Sequence, residues 1–162
     1  MITQGISDSS ATTTTDIHRN EAVSATVERF QRLFNTLSAG NVSGLAEVYS
    51  EDVCFSDPFG SVSGLRELQA YFEKVYTNVR SCRFDFAEVI VNGDQACLSW
   101  VMHLQHPKLR RGREITVHGM THLKVRDGRV QFHRDYFDGA ELLYGNLPML
   151  GGAIRWIRNY AS

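Results

Sequence analysis

Two titratable side chains late in the chain, His133 and Asp135, stand two residues apart in the segment VQFHRDYF. In an extended strand, residues i and i+2 share a face with Cα atoms roughly 6–7 Å apart, so an imidazole and a carboxylate can meet or flank one ligand. Such a pair is suited to accepting and returning a proton. The spacing therefore predicts acid–base chemistry at this strand, provided that both side chains face a pocket.

A second carboxylate, Asp57, precedes proline in the turn sequence Asp57-Pro58-Phe59-Gly60. It has two interpretations that the sequence leaves open. An aspartate at a turn accepts backbone N–H bonds and needs no further role. Placed in one cavity with Asp135, it would instead form a crowded carboxylate pair, in which one acid can donate a proton while the other accepts.

A β-hairpin is expected to carry His133 and Asp135. From Ile115 to Val125 every second residue is small or apolar, which is the period of a half-buried strand. Asp127-Gly128 is a hairpin signal, and residues 130–137 are rich in β-branched and aromatic side chains. Two antiparallel strands with one core-facing side follow from this pattern.

The length of the hairpin loop decides which side chains face inward, because a slip of one residue exchanges the two faces. A three-residue loop at 126–128, with the glycine left-handed, would set His133 across from Thr121. Asp135 would then lie across from Gly119. Hydrophobicity favours a two-residue loop, which would turn four other side chains inward: Val130, Phe132, Arg134 and Tyr136.

Length and charge limit the possible functions. A chain of 162 residues fits one domain that removes roughly 70% of its unfolded surface from water. Its net charge of −1 argues against a nucleic-acid partner, although residues 106–112 form a basic loop. No run of 18 apolar residues occurs, and the tail with Trp156 is expected to cap a pocket or a subunit contact rather than a membrane.

Cysteine and histidine spacing gives no sign of a disulfide framework or a metal site. Three cysteines, an odd number without a CxxC pair, fit reduced thiols in a cytoplasm: Cys54, Cys82 and Cys97. His118 and His122 would be roughly 13 Å apart on a strand, too far to share one ion. Residues 1–20 carry no secretory signal and are expected to form a flexible arm.

The remaining chain alternates helices and strands. Apolar residues at helical spacing predict a first helix over 21–39, closed by Gly40, and a shorter second one over 42–50. A brief strand at 53–56 and a third helix capped by Ser63 follow. Strands are predicted at 83–91 and 95–105, with Trp100 on the inner face, and Asp138 has the pattern of a helix start leading into a helical extension, 139–162.

This order of elements over residues 21–138 resembles the nuclear transport factor 2 like superfamily, which includes ketosteroid isomerases, SnoaL-like polyketide cyclases and limonene epoxide hydrolases. The resemblance implies a cone-shaped α+β fold, with N-terminal helices packed on a curved antiparallel or mixed sheet that encloses a pocket. Residues 50–60, SEDVCFSDPFG, are similar to the isomerase segment that carries the general base before Pro-x-Gly. Carried over, that base is Asp57.

Other features of these relatives are missing. The isomerases hold a dienolate with a tyrosine and a protonated aspartate, whose matched positions here are Leu33 and Thr121. Steroid isomerisation is therefore not expected, and Arg134 beside Asp135 is too little for the Asp-Arg-Asp pattern of the epoxide hydrolases. The last strand is more similar to SnoaL-like cyclases, in which an aspartate with a histidine nearby works without a cofactor. This resemblance favours the three-residue loop.

The expected protein is a cytoplasmic homodimer whose outer sheet face is covered by the second subunit, as in dimers of the superfamily. It would bind a hydrophobic, carbonyl-bearing small molecule and act as a cofactor-free acid–base cyclase or isomerase. Asp135 with His133 would form the acid–base pair, Asp57 a second carboxylate, and Thr121 a donor to oxyanion charge. Ligand contacts are expected from four aromatic residues: Trp100, Phe59, Phe72 and Phe137. The alternative is a non-catalytic ligand-binding or protein-interaction module of the same fold.

Overall fold

The structure is a computed structural model that describes residues 9–139 and 142, with side chains from residue 17 onward. The described residues contain two α-helices, α1 (Ser9–Phe34) and α2 (Leu65–Tyr76), together with short 3-10 helices at Val42–Glu47 and Arg110–Gly112. Six strands are β1 (Tyr49–Asp57), β2 (Gly60–Ser63), β3 (Ser81–Asn92), β4 (Gln95–Gln105), β5 (Glu114–Arg126) and β6 (Arg129–Phe137). Most of the predicted extension 139–162 lies outside the described residues.

The six strands form one mixed sheet in the order β2-β1-β6-β5-β4-β3. All neighbouring strands are antiparallel except β1 and β6, the first and last of the six along the chain, which run parallel. Register shifts interrupt three of these pairings, and such bulges bend a sheet. The predicted α+β fold with helices on one face of a curved, mixed sheet is confirmed.

Helix α1 packs along the concave face of the sheet. Its apolar residues at helical spacing, among them Val23, Val27 and Phe30, are buried. The Phe30 ring meets Phe86 of β3 edge-on at 6.2 Å. Polar contacts tie the same helix to the β5–β6 turn, where Arg29 donates to the Gly128 carbonyl oxygen at 2.6 Å. The helix is therefore held both by β3 and by the β5–β6 turn.

Both predicted ends of the first helix are wrong. Helix α1 begins at Ser9 rather than Glu21 and stops at Phe34 rather than Ala39. Asn35 explains the early stop, because its side-chain amide pairs with the carbonyl oxygen and N–H of Phe84 at 3.0 and 2.8 Å. A side chain that docks on a strand in this way turns the backbone out of the helix.

Two other boundaries also differ from the prediction. The second helix is reduced to the 3-10 segment Val42–Glu47, because Tyr49 already starts β1. Ser63 is not a helix cap: it pairs with Cys54 in the β1–β2 ladder. Gly64 takes the cap position of α2 with a φ of 94°, which a glycine adopts without strain.

The predicted three-residue loop between β5 and β6 is wrong. Asp127 and Gly128 have φ angles of 52° and 72°, as in a two-residue type I′ turn. The faces are nevertheless as predicted, because Val125 pairs with Val130 but Lys124 pairs with Phe132, which leaves Gln131 as a bulge. The extra residue restores His133 and Asp135 to the inner face.

The residues of β5 predicted to pair with His133 and Asp135 are also wrong. His133 pairs with Leu123, and Asp135 pairs with Thr121 rather than Gly119. The bulge comes after the turn and not within it, so the pairing is displaced along β5 while the direction of the side chains is kept.

Candidate functional site

A cavity of about 240 Å³ opens between α2 and the inner face of the sheet. It is lined mainly by aromatic and aliphatic side chains, and Asp57 and Asp135 both reach it. The β1–β6 pairing explains why they meet: Ser56 pairs with Arg134, so the two aspartates come next on adjacent parallel strands. Neighbouring strands lie roughly 4.8 Å apart, which places two carboxyl groups on one wall.

Four of the five residues predicted to contact a ligand line this cavity: Trp100, Phe59, Phe72 and Phe137. Trp100 and Phe72 are buried, whereas Phe59 is 46% exposed. The Phe59 and Phe137 rings meet at 5.6 Å. The aromatic lining thus extends from the buried end of the cavity to solvent.

The carboxylate of Asp135 is held by two donors on the same oxygen. Oδ1 accepts hydrogen bonds from His133 Nε2 at 2.8 Å and from Thr121 Oγ1 at 2.5 Å. Among the described residues, no hydrogen bond to Oδ2 is present. Asp135 therefore has a fixed orientation and a second oxygen left for a ligand.

His133 lies behind Asp135 and does not line the cavity. Its side chain has no exposed surface, and the rings of Phe30, Phe34 and Phe55 meet the imidazole edge-on. Nδ1 lies 2.7 Å from the Tyr49 hydroxyl. His133 is absent from the cavity lining and contacts Asp135 from behind, so its position does not support the predicted direct contact with a ligand.

These contacts indicate one tautomer of His133. A carboxylate only accepts, so Nε2 carries the proton that binds Asp135. Nδ1 is then free to accept from the Tyr49 hydroxyl, which has no other hydrogen-bond partner among the described residues. Burial raises the pKa of Tyr49 well above 10.0, and Asp135 adds to the effect. Tyr49 therefore keeps its proton and donates it.

Asp57 stabilises the turn and also lines the cavity. Its Oδ1 accepts the backbone N–H groups of Phe59 and Gly60 at 2.8 and 2.9 Å, as in an Asx turn. Oδ2 accepts the hydroxyl of Tyr71. Burial and then Asp57 raise the pKa of Tyr71, so this hydroxyl is a donor and not an anion at neutral pH.

Thr121 does not have its predicted role. The side chain is 2% exposed and its hydroxyl proton is donated to Asp135, so it is not a donor to a ligand. Its oxygen instead accepts from Trp100 Nε1 at 2.8 Å. Thr121 thus connects the indole to the carboxylate and orients both.

Trp100 can lie flat in the wall because residue 119 is a glycine. Trp100 and Gly119 pair across β4 and β5. A Cβ atom at position 119 would come within 2.3 Å of the indole, which no real contact allows. Gly119 is therefore required by the close approach of the ring.

Sequence reasoning missed Tyr49 and Tyr71 as parts of the site. Tyr49 fell in the predicted helix 42–50 and Tyr71 in the predicted third helix, and neither hydroxyl was given a role. A tyrosine on a buried face needs a partner for its O–H group, so the two phenols were themselves the available signal. The cavity also includes Cys82, where burial raises the pKa of the thiol to about 11.

Among the residues that the structure describes, no group of three or more His, Cys, Asp or Glu is placed to hold a metal ion. His122 instead contacts Gln95 at 2.9 Å on the outer face. Within the same residues, no helix combines the length and apolar character needed to span a bilayer.

A six-stranded mixed sheet curved over two helices, with a cavity beneath it, is the architecture of nuclear transport factor 2 like proteins. Within that class, the chain belongs to the SnoaL-like domain family, whose sequence profile matches residues 30–133. The predicted family is therefore confirmed. No curated protein sequence matches the chain.

Solved structures show the same fold at low sequence identity. An LEH-like epoxide hydrolase of M. tuberculosis is 17% identical, with a TM-score of 0.64 over 83% of this chain and 96% of that one. An NTF2-like protein of unknown function from Burkholderia pseudomallei K96243 is 21% identical, with a TM-score of 0.66 over 76% and 95%. TsrD from Streptomyces laurentii is 18% identical, with a TM-score of 0.63 over 79% and 96%.

Proposed function

We propose that the cavity binds a small hydrophobic, carbonyl-bearing molecule and that Asp135 transfers a proton on it without a cofactor, as in a cyclase or an isomerase. The observation that carries this proposal is the state of Asp135. One oxygen is fixed by His133 and Thr121, while the other has no hydrogen bond among the described residues and belongs to an aromatic cavity. A fixed carboxylate in an apolar site is suited to act as a general base.

In the proposed step, Oδ2 of Asp135 takes a proton from the carbon next to the carbonyl group. The C–H electron pair forms the C=C bond of an enolate, and the carbonyl π pair moves to oxygen. Return of the proton at another carbon gives an isomer. In a cyclisation, the enolate carbon attacks a second carbonyl group of the same molecule, the first carbonyl re-forms, and the proton held by Asp135 passes to the new alkoxide oxygen. Tyr71, which lines the cavity, would donate to the enolate oxygen after releasing Asp57.

The size of the cavity limits the ligand. At about 240 Å³ it lies below the roughly 300–1,000 Å³ typical of sites for drug-sized molecules. A compound of one or two rings fits this space. The M. tuberculosis neighbour is named an epoxide hydrolase, which is consistent with enzymes on this fold but does not transfer that activity to this chain.

Hydrogen–deuterium exchange tests the proposal without knowledge of the product. The protein is incubated in D₂O with acetophenone or 2-cyclohexenone, and loss of the α-proton NMR signal is followed. We expect Asp135→Asn to slow the exchange by about 10²–10⁴-fold, the range usual for a general base. Asp52→Asn is the matched control, because Asp52 lies outside the cavity and pairs with Arg126 at 2.7 Å.

Equal exchange by Asp135→Asn and the wild type would exclude this carboxylate as the base. If the wild type binds these ketones in the cavity but exchanges none of them, the non-catalytic ligand-binding module is the better description. The two results separate catalysis from binding, since binding is read independently from chemical-shift changes of the Trp100 indole N–H.

We further propose that two copies associate through the outer sheet face in the cytoplasm. Met120 and Tyr136 are 46% and 50% exposed there, and they border an open depression that includes Cys97 and His118. The cysteines among the described residues are free thiols, as a reducing compartment maintains. Met120→Glu should convert the dimer to a monomer in sedimentation velocity, and an unchanged sedimentation coefficient would argue against this face.

A further inference from the structure

We infer that the ligand of this cavity is a cation at neutral pH: a small hydrophobic compound that carries a basic nitrogen in addition to its carbonyl group. The inference deepens the proposed function, because it rests on the cavity being the ligand site. It names a substrate class that the description of the SnoaL-like domain family does not assign.

The charged side chains that line the cavity favour a cationic ligand. Among the described residues that line the cavity, Asp57 and Asp135 are acidic and none is lysine or arginine. His106 is the one remaining ionisable base among them, and its Nδ1 accepts the Lys108 backbone N–H at 3.2 Å. The described walls therefore carry two carboxyl groups and no lysine or arginine.

The nearest arginine along the chain does not offset these carboxylates inside the cavity. Arg134 precedes Asp135 and so occupies the other face of β6, where its guanidinium lies 5.0 Å from the centre of the Tyr136 ring. It borders a separate depression on that side, of about 330 Å³, which reaches the two aspartates from outside. Arg134 therefore supplies no positive group to the lining of the inner cavity.

Aromatic rings provide the second feature that favours a cation. The Phe84 and Trp100 rings meet at 5.4 Å, and Trp100 lies 5.9 Å from Phe137. The faces of such rings carry partial negative charge and attract an ammonium group, most strongly when water is excluded. The Trp100 N–H is already donated to Thr121, so the exposed part of this residue is its ring.

The negative charge of Asp135 affects ionisable groups on several sides of the cavity. Its negative charge contributes to raising the pKa of three separate phenols, Tyr49, Tyr71 and Tyr76, after the larger effect of burial. An enolate formed in this place would lack a cationic partner from the described walls. A ligand with its own ammonium group supplies that partner and is attracted by the negative charges of Asp57 and Asp135 before the reaction.

Three probes of similar size test the inference by NMR titration: N,N-dimethylbenzylamine, which is a cation, N,N-dimethylbenzamide, which is neutral, and phenylacetate, which is an anion. We expect the amine to bind at least about tenfold more tightly than the amide, and phenylacetate to bind most weakly. Asp135→Asn should weaken amine binding about tenfold or more and leave amide binding within about twofold. Asp52→Asn, outside the cavity, should change neither.

Equal affinity for amine and amide, or an amine affinity unchanged in Asp135→Asn, would overturn the inference and leave the proposed function standing. Tightest binding of phenylacetate would overturn it as well, and so would the absence of cavity shifts with all three probes. The proposed function fails by a different result, an Asp135→Asn protein that still exchanges α-protons at the wild-type rate.

Discussion

At the scale of single residues, the site is a row of hydrogen bonds in which each donor has one acceptor. Tyr49 donates to His133, His133 and Thr121 donate to Asp135, and Trp100 donates to Thr121. Four of these residues are buried, Tyr49, His133, Thr121 and Trp100, so each lost partner would leave a polar group without water. The row fixes the orientation of the Asp135 carboxyl group, as the proposed proton transfer would require.

Tyr49→Phe tests this row at its inner end. The change removes the donor to Nδ1 of His133 and leaves a buried acceptor unsatisfied, which costs about 1–3 kcal/mol of unfolding free energy. Urea denaturation measures the loss, and ¹⁵N chemical shifts of the imidazole report whether the Nε2–H tautomer persists. Tyr136→Phe is the control: its side chain is half exposed, and a change within about 0.5 kcal/mol is expected.

An unperturbed stability of Tyr49→Phe would contradict the role of this hydroxyl. A wild-type protein with the proton on Nδ1 instead of Nε2 would contradict the direction of the whole row.

At the scale of elements, the β5–β6 hairpin shows how a local irregularity selects the face of a strand. The two-residue turn by itself would have placed Arg134 and Tyr136 in the core. The bulge at Gln131 reverses this, and Tyr136 is 50% exposed while His133 is buried. The bulge keeps the charge of Arg134 and the phenol of Tyr136 out of the core, and the imidazole that is buried instead has hydrogen-bond partners. This lower cost of burying polar groups favours the bulge.

Gly119→Ala tests the contact between β4 and β5. The added methyl group would meet the Trp100 indole at 2.3 Å, so the ring or the strand must shift. Overpacking of this kind costs about 1–3 kcal/mol, and displacement of the indole should also weaken ligand binding in the cavity. Thermal or urea unfolding measures the first effect and NMR titration the second.

Gly60→Ala is the matched control for that variant, because a Cβ atom at position 60 meets nothing within 4 Å. Its stability should stay within about 0.5 kcal/mol of the wild type. If both alanine variants behaved alike, the close approach of Trp100 to β5 would not be the reason for the glycine.

At the scale of the whole molecule, the buried phenols and the Cys82 thiol make the fold sensitive to alkali. Burial raises the pKa of Tyr49, Tyr71 and Tyr76 above 10.0 and that of Cys82 from 9.0 to about 11. The folded chain therefore keeps protons that the unfolded chain releases as the pH passes about 9. Below that pH the stabilisation is fully present, and above it stability declines.

We expect the free energy of unfolding to be level near pH 8 and to fall steadily between pH 9 and 11. Cys82→Ala should reduce that fall by about 1–3 kcal/mol, since one proton no longer differs between the two states. Urea denaturation at a series of pH values gives the slope, and the exposed thiol variant Cys54→Ala is the control. A stability that rises with pH over this range, or equal slopes for both variants, would contradict the linkage.

The sequence by itself determined the strands and the family. Alternation along β4 and β5 predicted their inner faces correctly, because a period of two survives any detail of the turns: Leu98, Trp100, Val117 and Leu123 are all buried. The residues Asp57-Pro58-Phe59-Gly60 predicted the turn, but not the strand β2 that follows it. The candidate residues Asp57 and Asp135 came from local patterns, and their catalytic roles stay a prediction.

Tertiary structure alone decided how those residues meet. The end of α1 depends on Asn35 docking to β3, and the inward direction of His133 depends on a bulge that no local pattern marked. The parallel pairing of β1 with β6 brings Asp57 beside Asp135 from distant parts of the chain. Local spacing sets which face of a strand is apolar, whereas contacts between distant segments set the register, and register decides which polar groups share a cavity.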